Sequence, residues 1–379
     1  MKKIFLTTIA LLSMASATIF GMYGVDTDWI NFLTHGNQFR ARLDQLGFTL
    51  GNDMIKGTFG FDNNTGFGGA YGGLLVDNEP TGKHRSSWLP SISMGLGYTS
   101  SLISVGVGYN ATIGDQIQKF NGKAESKTVN KSAHTPVLVL NAMDNAFRMA
   151  IPIQVYVNND KFEGGGYDNE MAVSVDSQFR YYTGLDALPQ VRLFLRYGLY
   201  QNESKADKDA EKVKTKYAES FGFDFRLYFG SMVEEVALQP LVKLAYNQAL
   251  GNYHTDTRVQ AVKAMNGDYT SYSLGSYGGS AWDLQLMTGL GLTANSDIVS
   301  LYLEPQLGLA VISAPPLSTT LTRITTESYG LAYNVYAEIY ITPLKNLEWY
   351  FEAEIGSGAN QNRLVFNGTT GITWYLPAL

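Results

Sequence analysis

Ionisable residues occupy alternate positions between apolar residues in several segments of this chain, and they form two sets. The set between residues 170 and 246, the basic wall, consists of Arg180, Arg192, Arg196, Arg226 and Lys243, with Asp176 and Asp224 among them. The set between residues 281 and 355, the acidic wall, consists of Asp283, Glu304, Glu338, Glu348, Glu352 and Glu354. Charged rings around a water-filled pore set its ion selectivity. The pattern predicts an open charged lumen, or a closed lumen in which the two sets form salt bridges.

Patterns for catalysis and metal binding are weak by comparison. The four histidines are His35, His84, His134 and His254. None of them lies two or four residues from a carboxylate on a predicted strand face. The chain has no cysteine, which excludes a thiol nucleophile and a cysteine-ligated metal. We expect no enzyme activity, no cofactor and no metal site. A serine or aspartate dyad assembled from separate loops stays open.

The segments that carry the charges alternate between apolar and small or polar residues, which is typical of β-strands. Ile92, Met94, Leu96 and Tyr98 interleave with Ser93, Gly95 and Gly97, and similar segments recur along the chain. From Met54 to Tyr375 we count 14 strands, within a range of 12–16. An all-β fold follows from this pattern.

Short and long connections alternate between these strands. The short turns lie at 99–102, 143–146, 183–189, 230–235, 293–297 and 342–346. The longer connections lie at 62–90, 114–134, 158–168, 201–219, 247–280, 313–328 and 356–362. This asymmetry is typical of transmembrane β-barrels with tight periplasmic turns and long extracellular loops, and it argues against a β-sandwich or a solenoid. We predict a transmembrane antiparallel β-barrel; the alternative is a secreted all-β adhesin.

The N-terminal region lies outside this pattern. Residues 1–17 have two lysines, an apolar stretch and then small residues, which is the layout of a secretory signal peptide. Residues 18–53 do not alternate cleanly, and their apolar spacing indicates helical turns that end at Gly47. We interpret them as a periplasmic extension or a plug, with one or two additional strands as the alternative. Residues 54–379 form the predicted barrel.

Composition excludes two further classes of protein. The formal net charge is −6, which provides no attraction for phosphate backbones, so we expect no nucleic acid partner. The chain has no run of about 20 apolar residues, so it is not a multi-helix membrane protein.

One block carries a family resemblance. Asp28–Phe48, with the sequence DWINFLTHGNQFRARLDQLGF, is followed by Ile55–Phe61, with the sequence IKGTFGF. The two segments together resemble the variable surface proteins of intestinal spirochaetes, an outer-membrane family. The resemblance implies an abundant, surface-exposed and antigenically variable protein, allows a homo-oligomer, and brings no catalytic residues.

The residues and the resemblance together predict a surface-exposed outer-membrane barrel that works as a porin-like diffusion channel with antigenic extracellular loops. The alternative is a non-conducting coat, or an adhesin or antigen with a closed lumen. Residues 203–216 carry nine charges of both signs, which is typical of a solvated loop tip. Expected partners are outer-membrane lipid and, through the loops, host surfaces or antibodies. The loops that we expect to be exposed and to tolerate insertion are 62–90, 114–134, 201–219 and 247–280.

Overall fold

A computed structural model describes the chain in separate ranges. These are residues 46–52, 54–63, 90–118, 127–162, 164–233, 236–261, 276–316, 327–344, 347–357 and 365–374. The predicted signal peptide and most of the predicted N-terminal segment lie outside them. In the described part of the chain, no helix is both long and apolar enough to cross a membrane.

The described elements are sixteen β-strands. They are β1 (Leu46–Gly51), β2 (Ile55–Asn63), β3 (Pro90–Tyr98), β4 (Ile103–Gln118), β5 (Lys127–Ala142), β6 (Phe147–Lys161), β7 (Tyr167–Leu185), β8 (Leu188–Lys205), β9 (Val213–Tyr228), β10 (Ser231–Val233), β11 (Val236–Ala249), β12 (Trp282–Asn295), β13 (Val299–Ser313), β14 (Glu327–Leu344), β15 (Leu347–Gly356) and β16 (Val365–Trp374).

The strands form one antiparallel sheet in which each strand pairs with its neighbours along the chain. The order runs from β1 to β9 and from β11 to β16, and the short β10 pairs with β11. Leaving β10 aside, the chain from Ile55 to Trp374 forms the 14 strands predicted from the sequence. This continuous meander is the up-and-down topology of β-barrels.

The N-terminal edge of the sheet differs from the expected helical turns. Gly47 lies inside β1 and pairs with Gly60 of β2, so its predicted role at a helix end is wrong. Phe48 also faces Phe59 across the ladder, with ring centroids 5.6 Å apart. An edge strand gains ladder hydrogen bonds and aromatic pairing, whereas an isolated short helix is marginal in water. In the described ranges β1 and β16 are not paired, so the barrel is open between these two strands.

Two of the short turns have the predicted bounds. β3 ends at Tyr98 and β4 begins at Ile103, as expected from the predicted turn at 99–102. In the turn at 143–146, Asp144 and Asn145 have positive φ angles of 56° and 65°. Asp and Asn tolerate this conformation in turns because their side chains can bond to the nearby backbone.

Six of the seven long connections are shorter than predicted because the strands continue into them, and the one predicted at 356–362 is one residue longer. The predicted loop at 201–219 contracts to residues 206–212, since β8 reaches Lys205 and β9 begins at Val213. Backbone ladder bonds form between polar residues as readily as between apolar ones, so the hairpin extends past its apolar part. Its tip is exposed, as expected.

The sheet curls around one interior. Phe194 on β8, Tyr302 on β13 and Tyr336 on β14 form one buried cluster, although three strands separate β8 from β13 in the sheet. Nη1 of Arg226 on β9 also lies 3.9 Å from Oε1 of Glu304 on β13. Contacts between such distant strands require a strongly curved sheet, which is the geometry of an open barrel.

The curled sheet is polar inside and apolar outside. The outward side chains of Leu286 and Leu331 are 51% and 60% exposed, whereas the inward Arg226 is fully buried. Successive residues of a strand point to opposite faces, so the alternating sequence produces this distribution. An apolar outer surface that extends over many strands is stable in lipid rather than in water.

Candidate functional site

The charged residues singled out in the sequence lie on the inner face of the sheet. Within β7, β8 and β9 they are two or four residues apart, so the pleat directs them to the same side. The buried ones are Asp176, Arg180, Arg192, Arg196, Asp224, Arg226, Lys243, Asp283, Glu304, Glu338 and Glu348. Glu352 and Glu354 on β15 are half-buried.

Strand register joins five bases into one row across the inner face, here named the basic row. Arg148 on β6 pairs with Arg180 on β7, which pairs with Arg192 on β8. Arg192 pairs with Arg226 on β9, which pairs with Lys243 on β11. Like charges directly opposite each other destabilise a sheet, so the basic row requires acids close by.

Asp224 on β9 compensates three of the buried bases. Arg226 donates hydrogen bonds from Nε and Nη2 to the two carboxylate oxygens, both at 2.8 Å. Arg196 Nη2 and Lys243 Nζ lie 3.8 and 3.7 Å from Oδ2 of the same carboxylate. Charges out of water are tolerated when they are paired, so Asp224 is the centre of a buried ion-pair network.

Glu304 brings the acidic wall into contact with the basic row. Its carboxylate accepts hydrogen bonds from Tyr302, from Gln306 Nε2 at 2.6 Å and from Tyr228 at 3.5 Å. Arg226 lies 3.9 Å away. At this level the two charged sets meet through salt bridges and hydrogen bonds, which is the arrangement of the closed-lumen alternative.

Tyrosines share the inner face with the acids. The Tyr336 hydroxyl lies within hydrogen-bonding distance of both Glu338 and Glu352, and Tyr340 donates to Glu338 at 3.4 Å. The guanidinium of Arg192 lies over the ring of Tyr228, 4.4 Å from its centroid. Acids of the inner face, such as Glu304 and Glu338, therefore lie next to tyrosine side chains.

Sequence reasoning missed Arg148 and the inward tyrosines. Arg148 is flanked by apolar residues in the alternating segment 147–157, so its position already signalled an inward side chain. Tyr228 and Tyr302 are each two residues from an inward charge, Arg226 and Glu304 respectively. Counting tyrosine as an outward apolar residue concealed this signal.

A polar cavity of about 240 Å³ lies on the inner face next to the ion-pair network. Its charged lining residues are the bases Arg196, Lys243 and Arg258 and the acids Asp224, Asp283 and Glu354. The cavity thus borders both charged sets, and its formal charge is balanced.

Residues 252–261, here named the inner segment, run from the end of β11 into the interior. Val259 and Ala261 are buried in a cluster with aromatic and small residues of β5 to β9. Their backbone N–H groups donate to Ser220 Oγ on β9 at 2.7 Å and to Ser174 Oγ on β7 at 2.9 Å. Strand hydroxyls therefore satisfy two donors of this segment, as buried backbone requires.

Side chains of the inner segment also reach the strands. Arg258 Nη2 lies 3.0 Å from Asp176 Oδ2 on β7, and Thr257 donates to Asp283 Oδ2 on β12 at 2.6 Å. The segment therefore links strands on different sides of the interior.

His254 accepts a hydrogen bond at Nε2 from the Glu219 backbone N–H, at 2.8 Å. Burial lowers the pKa of His254, which keeps Nε2 unprotonated and able to accept.

A glycine on β8 provides room for the inner segment. A Cβ added to Gly198 would lie 2.1 Å from the carbonyl oxygen of Val259. The prediction that 247–280 is an exposed loop is wrong for the buried residues of the inner segment, His254, Val259 and Ala261, because apolar side chains leave water there and polar groups find partners on the strands. Most of the predicted loop at 62–90 lies outside the described ranges.

The curled antiparallel sheet, apolar outside and ion-paired inside, defines the class of transmembrane β-barrels. Within this class, the chain belongs to the Serpulina hyodysenteriae variable surface protein family, whose model matches residues 2–375. This match confirms the resemblance found in the sequence.

Comparison with solved structures gives distant similarities. The FrpB iron transporter from Neisseria meningitidis, F5-1 variant in its apoprotein form, matches with 12% identity over 72% of this chain and 44% of that chain, with a TM-score of 0.42. The copper transporter OprC matches with 9% identity over 87% and 62% of the two chains, with a TM-score of 0.34. The transport unit of the autotransporter AIDA-I from Escherichia coli matches with 12% identity over 89% and 93%, with a TM-score of 0.30.

This chain spans less than two thirds of the length of the first two of these proteins. Similarity at this level carries no information on what the chain binds. No curated protein matches the chain.

Proposed function

We propose that this protein is a surface-display barrel of the outer membrane with a closed lumen. The strands serve as a scaffold, and the hairpin tips at the long connections face the cell exterior. The observation that carries the proposal is the buried ion-pair network, in which Asp224 and Glu304 compensate the basic row and connect β9 with β13. The mutual pairing of these buried groups supports a closed lumen at this level.

The hairpin tip at 206–212 supports a display role. It combines acids and bases in exposed positions, and Lys212 pairs with Glu203 at 2.8 Å on the outside of the hairpin. Solvated loops of this kind tolerate sequence change and carry recognition sites. Membership of a variable surface protein family agrees with this role, and antibodies or host surfaces are the proposed partners.

Topology is tested with one epitope tag at two positions. A tag inserted after Asp207 should be labelled by antibody on intact cells. The same tag after Asp144, in a short turn, should be labelled only once the outer membrane is permeabilised. Equal access of the two tags would contradict the proposed orientation, and access at Asp144 alone would invert it.

Closure of the lumen is tested in planar bilayers. Purified protein that migrates differently before and after boiling is folded, and it should insert and conduct little current. Regular conductance steps from such protein would contradict the closed lumen.

The polar cavity favours a second candidate function, a porin-like diffusion channel. Water occupies polar cavities of this size, and an open state would connect the cavity to the short-turn end of the barrel. Because acids outnumber bases in the two predicted walls, such a channel should prefer cations weakly. The double variant Glu348→Gln and Glu352→Gln should then shift the preference toward anions.

A further inference from the structure

The polar cavity has features that neither display nor unselective diffusion requires. We propose that it is a binding site for a small zwitterion, a free α-amino acid with a small apolar side chain, taken from the cell exterior. The site does not depend on whether the lumen conducts.

Charge balance points to a zwitterion. The three lining bases are matched by three lining acids, so an added anion or cation would leave the site with an uncompensated charge. A zwitterion adds none. Its carboxylate can approach Lys243 and Arg258, while its ammonium group can approach Glu354 and Asp283, and charge-assisted hydrogen bonds of this kind are strong.

The size of the cavity limits the ligand. A volume of about 240 Å³ is room for a small amino acid and some retained water. Part of the lining is apolar, because Met287 and Ala332 border the cavity and pack in one buried cluster. These two side chains provide a surface for a methyl or similar group.

The position of the cavity indicates the side of entry. Asp283 is the second residue of β12, directly after a long connection, and Ser357 directly follows β15. Both residues lie at the end of the barrel with the long connections, which the proposed function places at the cell exterior. The cavity is on the inner face, so the headgroups of the surrounding bilayer do not reach it.

The inner segment completes the site. Thr257 and Arg258 line the cavity, and their bonds to Asp283 and Asp176 hold them there. A ligand carboxylate would therefore contact a base on a strand, Lys243, and a base on the inner segment.

Equilibrium dialysis of the folded full-length protein with radiolabelled L-alanine tests the proposal. Propionate lacks the ammonium group and ethylamine lacks the carboxylate, so the two serve as matched probes. We expect saturable binding of alanine, and at least about tenfold weaker binding of either fragment, since each loses one set of charged hydrogen bonds. No binding of alanine, or equal binding of the three probes, would overturn the proposal.

Two variants of one strand locate the site. Glu354→Gln should weaken alanine binding by about tenfold, because its side chain borders the cavity. Glu352→Gln changes the neighbouring inward carboxylate, which bonds to Tyr336, and should bind alanine like the unchanged protein. Equal loss in both variants, with heat-modifiable migration retained, would contradict this site, as would no loss in either. The selectivity among the three probes is measured on the unchanged protein, so a folding defect in a variant does not affect that measurement.

Discussion

The two ends of the barrel interior are filled in different ways. Near the short turns, Arg226, Asp224 and Glu304 are carried by strands whose backbones are held by ladders on both sides. Near the long connections, the interior contains a cavity and the inner segment, which is held by hydrogen bonds to strand hydroxyls and by the ion pair of Arg258 with Asp176. The first filling can move only if strands separate, whereas the second can leave its place while the sheet stays intact.

The two ends of the interior should therefore differ in the free energy that is needed to open them. Opening the short-turn end exposes buried charges and breaks ladders, so its free energy should approach that of global unfolding. Opening the inner segment exposes two small apolar side chains and a few polar groups, so it should occur as a local event at lower free energy.

The largest expected effect on stability comes from removing the carboxylate at the centre of the ion-pair network. Asp224→Asn leaves Arg226, Arg196 and Lys243 without their shared counter-charge in a buried position. We expect the free energy of unfolding to fall by about 3–5 kcal/mol, measured as the shift in the guanidinium unfolding midpoint. Asp207→Asn, in an exposed tip, is the control and should leave the midpoint unchanged. If both variants unfolded at the same denaturant concentration, the network would not be what holds this end together.

The second effect is the release of the inner segment without loss of the barrel. Gly198→Ala places a Cβ against the Val259 carbonyl, and overpacking of this kind costs ~1–3 kcal/mol. Because the chain has no cysteine, the Val259→Cys variant reports on this site alone when it is treated with a soluble thiol reagent. Its labelling should speed up about tenfold when Gly198→Ala is added, with little change in heat-modifiable migration.

The matched control for this release is Gly57→Ala, where the nearest atom to an added Cβ is the Gly95 oxygen at 3.6 Å. It should leave the labelling rate unchanged. Labelling of Val259→Cys that is already fast without Gly198→Ala would mean that the inner segment is not docked.

A smaller effect is expected from pH. The pKa of His254 lies below its ordinary value of 6.5 because of burial, which outweighs the opposite influence of Asp256 and Glu219. The docked inner segment is therefore fully stabilised above pH 6.5 and loses stability as pH falls from 6.5 toward the lowered pKa. The labelling rate of Val259→Cys, relative to that of Asp207→Cys at the same pH, should rise as the pH is lowered from about 7.5 to about 5.5. His254→Gln keeps an acceptor for the Glu219 N–H without titrating, and it should remove this pH dependence.

The smallest effect concerns an ion pair outside the barrel. Lys212 and Glu203 are 2.8 Å apart, the same distance as Arg226 and Asp224, but their side chains are 58% and 33% exposed. Water and salt screen such a pair, so Lys212→Gln should leave the guanidinium midpoint unchanged within error. A shift in the midpoint as large as that of Asp224→Asn would show that burial does not determine how much these ion pairs contribute to stability.

The strands and their order could be predicted from the sequence because a two-residue period specifies both the element and its faces. The turn at 143–146 was equally readable, since Asp144 and Asn145 interrupt two alternating segments. Strand ends were not, because the ladder continues through the largely polar residues 201–205 and 213–219 without an apolar signal.

The contacts within the site could be predicted only in part. The two-residue alternation already indicated that Arg226 and Glu304 would lie on the inner face. The two residues are 78 positions apart along the chain, however, and only the curvature of the sheet brings them together. The docking of Val259 depends on a strand glycine and two hydroxyls that have no local pattern. The roles of the charged residues as pore walls stay a prediction.

The meander has a consequence for how such a protein can evolve. Apart from the short β10, the described strands pair with the strands next to them in the chain, so a gene segment that encodes one hairpin and its tip is close to an independent module. Recombination between related genes could exchange such modules one at a time without disturbing the register elsewhere. The hairpin that carries the inner segment is the exception, because its bonds to β7 and β9 tie its sequence to two other modules. Diversity among related chains should therefore be lowest in residues 252–261 and highest at tips such as 206–212.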